Sequence, residues 1–173
     1  MNYDFTKYIK FLTDIDTVSN KIQGYYKNHI TCKKGCSSCC IKDRTVIPIE
    51  AYFIKEHLNP EIINSAIQNN EHNQCLFLKN ELCLMYEFRP LICRTQGLPL
   101  MYHSLEGDDA TYELSVCELN FTNYKEDSLN SNFIMNMEVA NQLLIQLNNK
   151  FLVKNNLQDI HNKKRFTFRE LIE

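Results

Sequence analysis

The residues best able to do chemistry in this 173-residue chain are its eight cysteines. All of them lie between positions 32 and 117, and the long segments on either side contain none. Thiolate sulfur is a preferred ligand of zinc and of iron–sulfur clusters, so clustered cysteines indicate a metal site rather than scattered buried thiols. The candidate ligands are Cys32, Cys36, Cys39, Cys40, Cys75, Cys83, Cys93 and Cys117.

The first four cysteines are close together in the sequence. Two residues separate Cys36 from Cys39, a gap that lets both sulfurs reach one metal ion. In a helix, Cys32, Cys36 and Cys40 would share one face. The side chains of Cys39 and Cys40 diverge in a helix or a strand. Their adjacency therefore indicates several metals, a multinuclear cluster, or one ligand beside a non-ligand.

The second four cysteines are separated by seven, nine and twenty-three residues, so only the fold can assemble them. Short apolar runs on both sides of the polar residues 79–81 predict a β-hairpin over 75–86. This hairpin would place Cys75 and Cys83 on facing arms. Cys93 would follow the turn at Pro90.

Composition and charge exclude several classes of function. The net charge is −2 and the pI about 6.2, which gives no electrostatic case for nucleic-acid binding. No stretch approaches the roughly 18 apolar residues of a membrane span, and the charged start is not a signal peptide. We therefore predict a cytoplasmic protein without nucleic-acid or membrane partners. Disulfides are rare in that compartment, which favours metal-bound thiolates.

Two long amphipathic helices are predicted at about 3–27 and 129–153 by apolar residues at three- and four-residue steps. Residues 45–47 predict a short strand, and Pro48 and Pro60 are placed to open helices. A second hairpin is predicted from 98 to 117, with its tip at 106–109. Thr167 and Glu170 form a capping-box pattern for a short last helix.

The predicted fold class is mainly α with small β-hairpins, an α+β arrangement in one domain over 1–173. The flanking helices would form a frame around an irregular, cysteine-rich metal centre at about 30–118.

Two runs of the sequence resemble a known family. KKGCSSCC (33–40) and CLFLKNELCLMYEFRPLICR (75–94) are similar to the CxxCxxCC family of zinc- or iron-chelating domains. The resemblance covers about residues 30–118 and implies that all eight cysteines occupy family positions, with Cys117 as the last. The chain departs from the pattern at one point, since three residues rather than two separate Cys32 from Cys36.

Cationic side chains accompany the cysteines and would lower the pKa of nearby thiols. Among them, Arg89 and Arg94 are predicted to lie near the sulfurs, while His29 and His103 are weaker candidates. Six cations that lie within four residues of a cysteine are Lys33, Lys34, Lys42, Arg44, Arg89 and Arg94.

Three functions remain open at this point. The first is a metal-binding protein that holds zinc or iron, the iron either as an ion or as an iron–sulfur cluster. The second is an iron–sulfur and S-adenosylmethionine-dependent enzyme, because the family signature also occurs in flagellin lysine-N-methylase. The third is a structural zinc module that presents a surface to a protein partner.

Overall fold

The computed structural model describes residues 3–69, 73–104, 111–124, 129–158 and 165–173. The chain divides into two compact units, each assembled from segments that are distant in sequence. The first, here called the hairpin unit, comprises Met1–Phe5, Lys33–Pro90 and Leu147–Glu173. The second, here called the sheet unit, comprises Thr6–Cys32 and Leu91–Gln146.

Helices predominate in the described residues, and the strands are short. The α-helices are α1 (Thr6–Tyr25), α2 (Pro48–His57), α3 (Pro60–Gln68), α4 (Leu91–Thr95) and α5 (Met137–Lys154). The strands are β1 (Thr45–Val46), β2 (Leu78–Lys79), β3 (Leu82–Cys83), β4 (Leu100–Ser104), β5 (Thr111–Ser115), β6 (Met135–Asn136) and β7 (Phe166–Thr167). The predicted class, mixed α+β with small hairpins, is confirmed. In the described part of the chain, no helix has the length and apolar character needed to cross a membrane.

In the hairpin unit, two helices begin where the sequence places proline. Pro48 and Pro60 stand at the start of α2 and α3, where a missing backbone N–H breaks no helical hydrogen bond. Asn59 caps α3, because its side-chain oxygen accepts the N–H of Ile62 at 2.8 Å. Both predicted helix starts are confirmed.

The core of the hairpin unit is rich in aromatic rings. Phe5 lies edge-on to Phe53, with ring centroids 5.2 Å apart, and stacks on Phe151 at 5.6 Å. Phe77 is fully buried and meets Phe168 edge-on at 5.5 Å. Since Phe77 follows Cys75 by two residues, this packing fixes the chain beside one of the candidate ligands.

Strands β2 and β3 form the hairpin that the sequence predicts. They are antiparallel, with Leu78 opposite Cys83. The turn residues Asn80 and Glu81 have φ values of 49° and 60°, the left-handed pair of a type I′ turn. The tight turn sets the register and therefore the position of Cys83.

The C-terminal segment pairs with the middle of the hairpin unit. Strands β1 and β7 are antiparallel, with Thr45 opposite Thr167. The predicted capping box forms, because Glu170 Oε2 accepts the N–H of Thr167 at 2.7 Å and Thr167 Oγ1 accepts the N–H of Glu170 at 3.4 Å. It caps a single 3₁₀ turn, Arg169–Leu171.

The sheet unit contains a three-stranded sheet in the order β5-β4-β6. Strands β4 and β5 are antiparallel, which confirms the second hairpin; its predicted tip at 106–109 lies outside the described residues. Strand β6 is parallel to β4, a pairing that the sequence did not predict. Helix α1 packs against α4 and β6.

The predicted helix at 129–153 begins later than expected, at Met137. Its first predicted turns are instead a 3₁₀ turn, Ser131–Phe133, followed by β6. Two asparagines account for the difference. The side-chain oxygen of Asn130 accepts the N–H of Asn132 at 3.0 Å, and that of Asn136 accepts the N–H of Val139 at 3.1 Å. Each bond competes with helix upstream of Met137.

Candidate metal centre

Four cysteines of the hairpin unit lie near one another. Cys39 and Cys40 are hydrogen-bonded through their side chains, and Cys39 interacts electrostatically with both Cys75 and Cys83. The backbone supports this grouping, because the N–H of Cys75 donates to the carbonyl of Cys40 at 2.9 Å. Cysteines from both sequence groups therefore come together here, as the spacing analysis required.

Burial makes these thiols hard to ionise. The hydrogen bond to Cys40, followed by burial, raises the pKa of Cys39. Burial also raises the pKa of Cys75 to about 11 and raises that of Cys83. Desolvation disfavours the charged form of a thiol, so these sulfurs need positive charge nearby to become thiolates.

Two backbone N–H groups partly oppose this effect. The N–H of Phe77 donates to the sulfur of Cys75, and that of Met85 donates to the sulfur of Cys83. Each donor lies two residues after its cysteine, on or beside the hairpin. Hydrogen bonds to sulfur favour the thiolate and tune iron–sulfur sites.

Two arginines supply positive charge at the same place. The charge of Arg44 acts to lower the pKa of Cys39 and Cys75, and that of Arg89 acts to lower the pKa of Cys83. These contributions oppose the larger effect of burial and leave each pKa raised. The guanidinium of Arg89 lies over the ring of Tyr86, 3.7 Å from its centroid. The Nε of Arg44 is buried and has no hydrogen-bond partner among the residues described. A buried N–H without an acceptor fits a site that holds additional negative charge or sulfur.

The donor set therefore fits zinc or iron in its chemistry: four thiols, N–H donors to two of the sulfurs, and two arginines. The sulfurs do not converge on one point. In the described residues, no three His, Cys, Asp or Glu side chains are arranged to contact a single metal ion. Binding would therefore require the cysteine side chains to rotate.

The other four candidate cysteines lie elsewhere. Cys36 belongs to the hairpin unit and closes a turn, with its N–H donating to the carbonyl of Lys33 at 2.9 Å. Cys32, Cys93 and Cys117 belong to the sheet unit. Cys93 lies on α4, and Cys117 accepts the N–H of Asn120 through its carbonyl at 2.8 Å.

Asn120, with Gly97, is a feature of the sheet unit that sequence reasoning missed. The side-chain Nδ2 of Asn120 donates to the sulfur of Cys32 at 3.3 Å and to the carbonyl of Gly97 at 2.7 Å. The only hints in the sequence were the position of Asn120, three residues after the last cysteine, and the scarcity of glycine.

Arg94, the arginine next to Cys93, forms an ion pair with a residue of α1. Arg94 is paired with Asp16 of α1, with 2.5 Å between Nη1 and Oδ2, and its side chain is 7 % exposed. This ion pair joins α4 to α1 within the sheet unit. Arg44, one of the cations that the sequence places near a cysteine, acts electrostatically on Cys39 and Cys75.

The two histidine candidates lie in the sheet unit among aromatic rings. His29 stacks on Phe121 at 6.2 Å and meets Tyr124 edge-on at 4.6 Å. His103 lies on β4, with its ring 5.6 Å from that of Tyr112. These contacts give both rings a packing role.

The hairpin unit also has a polar cavity of about 370 Å³. Apart from Leu78, its lining consists of polar or charged side chains, including Ser37 from the cysteine run and Glu81 from the turn. The remaining lining residues are Ser65, Gln68, Asn69, Gln74, Lys79 and Asn80.

The middle of the chain matches a known family model. Residues 31–118 match the family model described as "CxxCxxCC: Putative zinc- or iron-chelating domain". No curated protein and no solved structure matches the chain. The matched residues make up half of the chain and include all eight cysteines. The chain therefore belongs to the CxxCxxCC family of zinc- or iron-chelating domains.

Proposed function

We propose that this chain is a metal-binding protein that holds zinc or iron through a centre built on Cys39, Cys40, Cys75 and Cys83. The observation that carries the proposal is the proximity of these four cysteines in the hairpin unit, with Arg44 beside them. Zinc and iron both favour thiolate ligands, and the family description names the same two metals.

The raised thiol pKa values support a metal rather than a free-thiol function. A buried thiol with a raised pKa is a poor nucleophile at neutral pH, because little thiolate is present. A bound cation reverses this balance, since a thiol that coordinates a metal ion is deprotonated outright. The centre is thus suited to thiolates that a metal stabilises.

The family match also includes Cys32, Cys36, Cys93 and Cys117. We include these four in the proposed ligand set without assigning them to the same metal ion. The adjacency of Cys39 and Cys40 favours a centre with more than one metal. An iron–sulfur cluster is one form of such a centre.

The enzymatic alternative receives less support. A related enzyme would need a site for S-adenosylmethionine, whose adenine binds best to apolar or aromatic surface. The cavity of the hairpin unit offers a single apolar residue, Leu78. We therefore propose binding, transfer or storage of the metal rather than catalysis.

A reducing compartment such as the cytoplasm suits the proposal, because all eight cysteines carry free thiols in the structure.

The alternative of a structural zinc module with a protein partner predicts a different rate of metal exchange. A structural site closed by four protein ligands would release its metal slowly.

The test is anaerobic purification followed by elemental analysis and an absorption spectrum of the same sample. We expect at least one zinc or iron per chain. Absorption near 400 nm together with iron and acid-labile sulfide identifies an iron–sulfur cluster, whereas a colourless zinc protein identifies a zinc site. Protein free of both metals, and unable to take up either from solution, would overturn the proposal.

A further inference from the structure

The side chain of Asn120 is buried beside Cys32 and is fully hydrogen-bonded. Asn120 is 3 % exposed. Its Oδ1 lies 2.8 Å from the N–H nitrogen of Thr31 and 2.9 Å from the Thr31 hydroxyl. Its Nδ2 lies 2.7 Å from the carbonyl of Gly97 and 3.3 Å from the sulfur of Cys32. All four hydrogen-bonding positions of the carboxamide are used.

These partners fix which end of the carboxamide faces the sulfur. The backbone N–H of Thr31 can only donate, so its partner atom must be the oxygen. The carbonyl of Gly97 can only accept, so its partner must be the nitrogen. The group directed at Cys32 is therefore an N–H donor, and the sulfur must act as the acceptor. A thiol sulfur is a weak acceptor, whereas a thiolate is a strong one.

The backbone of Gly97 also lies close to the sulfur of Cys32. A Cβ atom at position 97 would lie 2.5 Å from the sulfur of Cys32, and the φ of Gly97 is +86°. Real Cβ atoms essentially never approach so closely, so only glycine leaves room for the sulfur where it now lies. The position of the sulfur is therefore defined by both an amide donor and a glycine.

Asn120 also connects the three segments of the sheet unit that carry cysteines. Thr31 precedes Cys32, and Gly97 lies four residues after Cys93. The backbone N–H of Asn120 donates to the carbonyl of Cys117 at 2.8 Å. One buried residue, outside the range of the family match, therefore holds these segments in place.

We infer that Asn120 is a positioning residue for Cys32, whose sulfur it holds in place for metal binding through the Nδ2–H···Sγ hydrogen bond. This inference rests on the proposed metal-binding function. It also bears on the one departure from the family spacing, since Asn120 fixes Cys32 despite the longer gap to Cys36.

The test compares three variants of the full chain, with zinc and cobalt(II) as the probe metals. Asn120→Asp keeps the oxygen that Thr31 needs and replaces the donor facing the sulfur by an acceptor. Cys32→Ser removes the sulfur. Thr31→Val is the matched control, because it removes the hydroxyl bonds to Asn120 and to the carbonyl of Leu119 but leaves Nδ2 and Cys32 unchanged.

Asn120→Asp is expected to weaken metal binding about 10- to 100-fold, the usual cost of losing a residue that orients a ligand. It should also lower the sulfur-to-cobalt charge-transfer absorption, as Cys32→Ser does. Combined with Cys32→Ser, it should add no further loss. Thr31→Val should stay within about twofold of the wild type, since the Nδ2–Sγ bond remains.

Three results would overturn the inference. The first is unchanged metal affinity in Asn120→Asp or in Cys32→Ser while the wild type binds normally. The second is an equal loss from Asn120→Asp with and without Cys32, which would show a merely structural role. The third is a wild type that binds neither metal, which would overturn the proposed function as well. If Asn120→Asp does not fold, Asn120→Ala removes the donor without adding a charge and is judged by the same comparison.

Discussion

The two units stabilise their candidate ligands in different ways. In the hairpin unit, burial raises the pKa of Cys75 and Cys83, and the guanidinium groups of Arg44 and Arg89 oppose the effect. In the sheet unit, Cys32 is exposed and its sulfur accepts a directed hydrogen bond from Asn120. A buried thiol needs a nearby positive charge to become a thiolate. An exposed thiol can ionise in water, but its side chain must be held in position to bind a metal. We therefore expect a bound metal to stabilise the hairpin unit more than the sheet unit.

The largest difference between the two units is expected in the loss of metal affinity when a cysteine is replaced. Cys75→Ser is expected to lower metal affinity by more than about 100-fold, beyond the usual cost of losing a residue outside the ligand set. Cys117→Ser, in the sheet unit, is expected to cost less. Competition with a chelator measures both affinities. Loss of metal in Cys117→Ser with retention in Cys75→Ser would reverse the comparison.

Removal of the metal should affect the hairpin unit first. Without metal, the N–H groups of Phe77 and Met85 lose the thiolates to which they donate. Their hydrogen exchange should accelerate by about 100-fold if the metal was present at about 100 times its Kd. The amides of α1, which contains no cysteine, should change little. Hydrogen exchange with and without chelator measures this. Equal acceleration in α1 would show that both units depend on the metal together.

Substitution of two arginines, one in each unit, should have smaller effects and separates metal binding from fold stability. Arg44→Met should weaken metal binding about 10-fold, because Arg44 offsets the negative charge of two sulfurs. Arg94→Met should leave metal affinity nearly unchanged and lower the free energy of unfolding by about 1–3 kcal/mol, since Asp16 loses its partner. Chelator competition and urea denaturation measure the two quantities. The opposite pattern would assign Arg94, not Arg44, to the metal centre.

The smallest expected effect concerns the turn that positions Cys83. Glu81 has a φ of 60°, which glycine adopts without strain. Glu81→Gly should therefore raise the free energy of unfolding by about 0.5–1 kcal/mol, since Asn-Gly is the preferred type I′ pair. Glu81→Ala is the control and should give no such gain. A lower free energy of unfolding in Glu81→Gly would mean that contacts of the Glu81 side chain stabilise the fold by more than the relief of backbone strain.

Local signals in the sequence were enough for much of the fold. The turn at residues 79–81, the helix starts at Pro48 and Pro60, and the capping box at Thr167 depend on near neighbours. Each can be read from residue type and spacing. Membership of a zinc- or iron-chelating family was also predictable, because it follows from the number and spacing of the cysteines.

Long-range pairings were not predictable in the same way. Strand β6 pairs in parallel with β4, and no local pattern in the sequence signals this pairing. Arg94 is adjacent to Cys93 in sequence, yet its ion-pair partner is Asp16, 78 positions away. Asn120 reaches Cys32 across 88 positions. Proximity in sequence to a cysteine therefore identified Arg44 and Arg89, which act on the thiols, but not Asn120.

The central claim, a metal bound by the sulfurs of the hairpin unit, is tested most directly by X-ray absorption at the edge of the metal that copurifies. For zinc we expect a shell of sulfur at about 2.3 Å, with fewer sulfurs in Cys75→Ser than in the wild type. A shell of nitrogen and oxygen alone, or a sulfur shell that Cys75→Ser leaves unchanged, would contradict the claim.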